Sequence, residues 1–131
     1  MTADDTTTGI LIFAHGSSVE AANQGVRDLA RRIQDAGPHP YVRAAFLDQA
    51  QPDLSAAVSQ AAETGIRRVI VIPYFLTVGI HLQGDLPSLV AAQKAKHPDL
   101  EIEVGQSLED HPSMPSLILE RVREVVPKVA R

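Results

Sequence analysis

The chain has 131 residues, 44% of them hydrophobic and only 4% aromatic, which suits one domain with a core of Val, Ile, Leu and Ala. Twelve basic and 16 acidic residues leave a formal charge of -4, and with no Lys/Arg cluster nucleic acid is not expected as a partner. No apolar run is long enough to cross a bilayer, so no membrane span is expected, and the absence of cysteine excludes disulfides and Cys-ligated zinc or iron–sulfur sites. A reducing cytoplasm suits such a chain.

Residues 1–8, "MTADDTTT", are polar and acidic, without the basic start and apolar middle of a secretory signal; they read as a short disordered tail before a single domain over 9–131. Gly9 to Ala14 is a continuous apolar run, as expected of a strand covered on both faces. Ser17, with Glu20 three residues later, fits a capping box for a first helix carrying Val26, Leu29, Ala30 and Ile33. Gly37-Pro38-His39-Pro40 ends that helix. Tyr41 to Leu47 reads as a second strand, closed by Asp48. Pro52 stands near the start of a second helix with an apolar stripe at Leu54, Ala57, Val58, Ala61 and Ala62, and Gly65 ends it.

Val69 to Ile72 is the most strongly β-branched run and reads as a central strand. The segment after it, "IPYFLTVGIHLQGDLP", reads as a loop holding Gly79 and His81, with Asp85 as N-cap of a third helix that closes at Lys96-His97-Pro98. Tyr74 and Phe75 read by default as core. Leu100 to Val104 alternates with period two, as an edge strand does. Ile118, Val122, Val125 and Val129 mark a last helix, with Pro127 as an early stop.

Alternating strands and helices imply right-handed crossovers and an α/β fold: a small, doubly wound, four-stranded parallel sheet of flavodoxin-like order 2-1-3-4, with helices on both faces. In that order the switch point lies between the first and third strands, and ligands bind outside the carboxyl ends of the strands. His15 follows the first strand, Asp48 the second, His81 the third and His111 the fourth, so all four belong to one rim. Two imidazoles and a carboxylate suit a borderline divalent metal such as Co²⁺, Fe²⁺, Ni²⁺ or Zn²⁺, and so small a protein donor set leaves coordination positions open. Gly79, lacking a β-carbon, allows its backbone to approach a flat ligand. Ser17 and Ser18, at a helix start, suit a carboxylate.

Each residue also has a plainer reading. His15 and His81 can satisfy backbone groups at strand ends, Asp48 can serve as a turn residue, and Asp85, Ser17 and Ser18 can act only as caps. His39 and His97 precede prolines on the opposite rim and read as surface residues.

Taken together, "HGS" after the first strand, "AFLDQAQP" after the second, "VIPYFLTVGIHLQGDLP" after the third and "DHP" after the fourth resemble the small CbiX-type sirohydrochlorin chelatases, of the class II tetrapyrrole chelatases. The resemblance runs from Gly9 to about Val126. It implies an enzyme that inserts Co²⁺ or Fe²⁺ (Ni²⁺ in some lineages) into sirohydrochlorin, towards cobalamin, sirohaem or a nickel tetrapyrrole. It matches His15 and His81 to the metal-binding, catalytic histidines, and Asp48 to a position where the family usually carries Glu, one methylene longer. It implies a homodimer. The metal is a substrate, and no organic cofactor is expected. Ser17, Ser18, Gly79, Asp85 and His111 are candidate substrate contacts, and Arg43 a further donor. The competing expectation is a carrier of metal or tetrapyrrole on the same fold, without turnover.

Overall fold

The structure, a computed structural model, describes residues 6–129, without the side chains of residues 80, 81 and 127–129. Eight elements alternate along the chain: β1 (Thr8–Ala14), α1 (Glu20–Ala36), β2 (Tyr41–Phe46), α2 (Leu54–Glu63), β3 (Arg68–Pro73), α3 (Ile80–Lys96), β4 (Glu101–Val104) and α4 (Met114–Val129). All strand pairs are parallel and the sheet order is β2-β1-β3-β4, as the alternation predicts. Of the expected tail, residues 1–5 lie outside the described residues, whereas Thr8 is a buried member of β1 and the Thr7 carbonyl accepts from Arg67 N at 2.8 Å. No helix among the described residues is long and apolar enough to cross a membrane.

The two central strands are covered from both sides. Leu11, Phe13, Val69 and Val71 are fully buried against α2 (Leu54, Ala57, Val58, Ala61) and α3 (Leu86, Val90). On the opposite face Ile12 and Val42 pack against Ala30, Val26 and Ile33 of α1. Full burial of each such aliphatic side chain is worth roughly 1.5–3 kcal/mol, which makes the sheet a rigid base for its rim. β4 is wet on one side, as its alternation predicts: Ile102 is buried while Glu101 and Glu103 are exposed.

Three expectations fail. The capping box does not form: α1 starts at Glu20 behind an uncapped Val19, and the Ser17 hydroxyl accepts from Val19 N at 3.0 Å instead. Buried Asn23 competes for the same segment, taking Ser17 N at 2.9 Å and donating to Ser17 O at 2.9 Å. Asp85 is not an N-cap: α3 begins five residues earlier, behind Gly79, with Gln83 N bonded to Gly79 O at 3.0 Å. Pro87 therefore lies inside the helix, where it supplies no N–H, and the burial of Leu86 and Val90 outweighs that loss. Pro127 does not stop α4, which runs to Val129. Helices cover both faces as expected, α1 on one and α2 and α3 on the other, while among the described residues α4 packs along no other element.

Candidate functional site at the carboxyl rim of the sheet

The backbone ladders continue past the strand ends and fix the rim. Leu47 N donates to Ala14 O at 2.9 Å, and Asp48 N donates to His15 O at 3.1 Å. On the other side of β1, Tyr74 N donates to Phe13 O at 2.7 Å. His15 thus stands between the Asp48 turn and the Tyr74–Phe75 segment, at the point where the chain leaves β1 for one face and β3 for the other. Gly16 is required there. Its φ is +90°, and a β-carbon on it would lie 1.7 Å from the Asp48 carbonyl oxygen.

His15 is exposed, and its ring meets the edge of Phe75, with centroids 6.1 Å apart at 72°. Phe75 in turn meets the buried ring of Phe13 at 6.3 Å. The core therefore orients the histidine from below. No hydrogen bond engages its imidazole among the described residues, so satisfying a backbone group is not its role here. Tyr74 departs from the core reading: it is exposed, as are Leu76 and Val19, and Phe75 is half-buried against the core. The rim around His15 thus carries apolar side chains open to solvent.

Asp48 also joins the rim, and the turn reading of this residue has support. Its Oδ1 accepts from Gln49 N at 2.8 Å, with Gln49 at a φ of 64°. One carboxylate oxygen is thus held by the backbone of Gln49, on an exposed residue whose own N–H bonds the His15 carbonyl.

His81 lies in the first turn of α3 rather than in a loop; its side chain lies outside the described residues. Gly79 is exposed and caps that helix with its backbone, and nothing lies within 4 Å of where its β-carbon would be, which leaves its approach open. Asp85 is exposed within α3, one turn further on. Ser17 is half-buried and turned to Val19, and Ser18 is exposed; both precede the helix start. The Nδ1 of exposed His111 accepts from Ser113 N at 3.0 Å, so a neutral ring carries its proton on Nε2 and offers a donor rather than a metal ligand. Arg43 is engaged away from the rim. It bonds Gln34 Oε1 at 2.6 Å, lies over the Tyr41 ring, and sits opposite Leu11 in mid-strand. His97 is not simply a surface residue; it is half-buried, with Ser59 Oγ 3.3 Å from its Nε2.

One residue of the site escapes the sequence analysis. Glu109, from the loop after β4, accepts from Val78 N through Oε2 at 2.9 Å, and Leu108 N donates to Phe75 O at 3.2 Å. Two loops far apart in sequence are thereby tied, and the start of α3 is set against β4. The adjacency of Glu109 to "DHP" is the signal that points to it. Beside this tie, a groove of about 710 Å³ runs between α3 and β4, with Pro73, Val78, Leu82, Gly105 and Ser107 on its walls. Among the described residues no three His, Cys, Asp or Glu side chains form a preassembled metal cage. The rim presents separate donors on a rigid base.

Comparison with known proteins gives one answer. The family model CbiX matches residues 9–125. The chain is 23% identical to a sirohydrochlorin cobaltochelatase of Methanopyrus kandleri over 137 residues, covering 89% of this chain and 96% of that one. It is 26% identical to the chloroplastic sirohydrochlorin ferrochelatase of Arabidopsis thaliana, covering 92% of this chain and 54% of that one. The crystal structure of a CbiX protein of cobalamin biosynthesis from Marinobacter aquaeolei superposes with a TM-score of 0.81 at 26% identity, covering 92% of this chain and 98% of that chain.

Proposed function

The chain belongs to the CbiX family, and from that premise we propose that it is a chelatase inserting Co²⁺ or Fe²⁺ into sirohydrochlorin, with His15 and His81 as its working histidines. One observation carries the reading. The family match spans nearly the whole chain, and at the switch point of the matched fold exposed His15, its imidazole without a hydrogen bond among the described residues, shares a rim with exposed Asp48, whose N–H bonds the His15 carbonyl.

The chemistry is a double displacement: the metal enters the macrocycle as two pyrrole N–H protons leave. The site must therefore strip water from the ion, hold it, and accept protons. His15 and His81 serve as nitrogen donors to the incoming metal, and each accepts a proton once it lets go of the ion. The free oxygen of Asp48 completes the shell or orients an imidazole. Tyr74, Leu76 and Val19 give the flat macrocycle an apolar rest, and the His111 Nε2–H and the backbone at Gly79 meet its carboxylates. The metal and the tetrapyrrole are both substrates, no organic cofactor takes part, and two copies of the chain work as a pair in the cytoplasm.

The test follows the absorbance of sirohydrochlorin on adding Co²⁺ or Fe²⁺ under anaerobic conditions, with and without the protein. Insertion well above the spontaneous rate is expected. A spontaneous rate with both metals, alongside stoichiometric metal binding, replaces the enzyme by a carrier.

A further inference from the structure

α1 and α2 lie on opposite faces of the sheet, and between them the free edge of β2 opens onto a groove of about 410 Å³. Its walls carry Arg27, Arg31 and Gln34 from α1, Arg43 and Ala44 from β2 and Gln60 from α2, and no Asp or Glu. In a chain of net charge -4 the fold thus gathers positive charge that the sequence keeps apart. Arg27, Arg31 and Gln34 recur a turn apart, so one face of α1 presents them together. Two like charges four residues apart weaken a helix rather than support it. A charged guard against edge-to-edge pairing accounts for Arg43 on the edge strand and leaves Arg31 unexplained.

Two of the arginines are held in place. Arg43 lies 4.2 Å over the Tyr41 ring and gives Nη1 to Gln34 Oε1 at 2.6 Å and to Val42 O at 3.0 Å. Arg27 lies 5.2 Å over the Phe46 ring, pairs with Glu20, and gives Nη2 to Gln51 O at 3.0 Å. Arg31 is exposed and has no partner among the described residues. What these contacts leave over is donors. Gln34 Oε1 takes Val42 N at 3.1 Å as well as Arg43, so its Nε2 is left to donate elsewhere. Leu47 N bonds Ala14 O on the β1 side, whereas Val42 N and Phe46 N point to the free edge, the latter to Pro52 O at 2.9 Å. Strand alternation therefore puts the Ala44 N–H on the free edge, between those two and facing the groove.

A groove rich in positive charge and N–H donors, and without a carboxylate, fits an anion with several oxygens. We propose that the edge groove of β2 is a second binding site, for a small oxyanion: a carboxylate or phosphate group seated on the Ala44 N–H between the Arg31 and Arg43 guanidiniums. Its volume is in the range of small-molecule pockets and takes a di- or tricarboxylate or a phosphate ester. The site stands apart from the rim, since Arg43 is opposite Leu11 in mid-strand and the rim begins beyond Ala14. Arg27 alone reaches both, through the carbonyl of Gln51 in the turn after Asp48. The site uses none of the rim's chemistry and does not rest on the chelatase reading.

Calorimetry on the metal-free full chain at low ionic strength tests this, with citrate and inorganic phosphate as probes. At least one of them is expected to bind with a Kd below about 1 mM, more weakly as KCl is added. Arg31→Ala, which removes an exposed side chain without a partner, is expected to weaken binding about tenfold, and Arg31→Glu to abolish it. Circular dichroism checks that both are folded. His15→Ala is expected to bind the probe as the wild type does, and the Ala44 amide resonance of the labelled protein is expected to move on titration. Tighter citrate binding assigns the site to carboxylates and tighter phosphate binding to phosphate esters; either supports it. Failure of both probes to bind the wild type overturns the site, as does equal binding by the wild type and Arg31→Glu. Binding lost in His15→Ala and kept in Arg31→Ala puts the anion on the rim and overturns a second site.

Discussion

Gly16 and Asp48 touch through their backbones: a β-carbon on the glycine would fall 1.7 Å from the aspartate carbonyl oxygen, while the neighbouring Asp48 N–H bonds His15 O at 3.1 Å. The glycine of "HGS" is thus what lets β1 and β2 end side by side. Substituting Gly16→Ala forces both a left-handed conformation and a backbone clash. A loss of about 2–4 kcal/mol in stability is expected, read as a shift of the denaturant midpoint. An unchanged midpoint would show that the rim relaxes freely.

His15→Ala removes an exposed ring that, among the described residues, meets another ring only at Phe75. Stability is expected to fall by about 1 kcal/mol or less. Co²⁺ affinity, measured by calorimetry, is expected to fall at least about tenfold. Unaltered binding removes His15 from the metal site.

His81→Ala places the best helix former in the first turn of α3, so the apo melting temperature is expected to hold or rise slightly. Chelation should nevertheless drop to near the spontaneous rate. A large loss of apo stability with intact Co²⁺ binding would assign this histidine a structural task.

Asp48→Asn keeps the acceptor for Gln49 N and removes the charge. The fold is expected to be unchanged and metal affinity to fall about 10–100-fold. Asp48→Glu, which lengthens the carboxylate arm by one methylene, is expected to retain metal binding. Equal affinity of the wild type and Asp48→Asn for Co²⁺ would make Asp48 a turn residue only.

Glu109→Ala cuts the tie between the β4 loop and Val78. About 1 kcal/mol of stability is expected to go, with a larger fall in kcat/KM than in kcat as the start of α3 loosens. Glu109→Gln retains an acceptor and is expected to rescue most of that loss. Failure of this rescue would mean that the charge, rather than the tie, matters.

The sequence by itself determined the sheet. Apolar runs at Gly9–Ala14 and Val69–Ile72 can be stable only when buried on both faces, and alternation with helices dictates parallel crossovers and so the order β2-β1-β3-β4. It also put His15, Asp48, His81 and His111 on one rim, because strand ends are set by the same periodicity. What the tertiary structure decided lies where local signals compete. The serine cap lost to Asn23, whose side chain is buried and must bond to Ser17. The helix of His81 started early because Leu86 and Val90 fix its axis on the core, against the proline at position 87. The tie from Glu109 to Val78 crosses 31 residues and leaves no local pattern. The apolar stripe of α4 was legible, but its detachment was not, since periodicity states that a face must be covered and not which surface covers it.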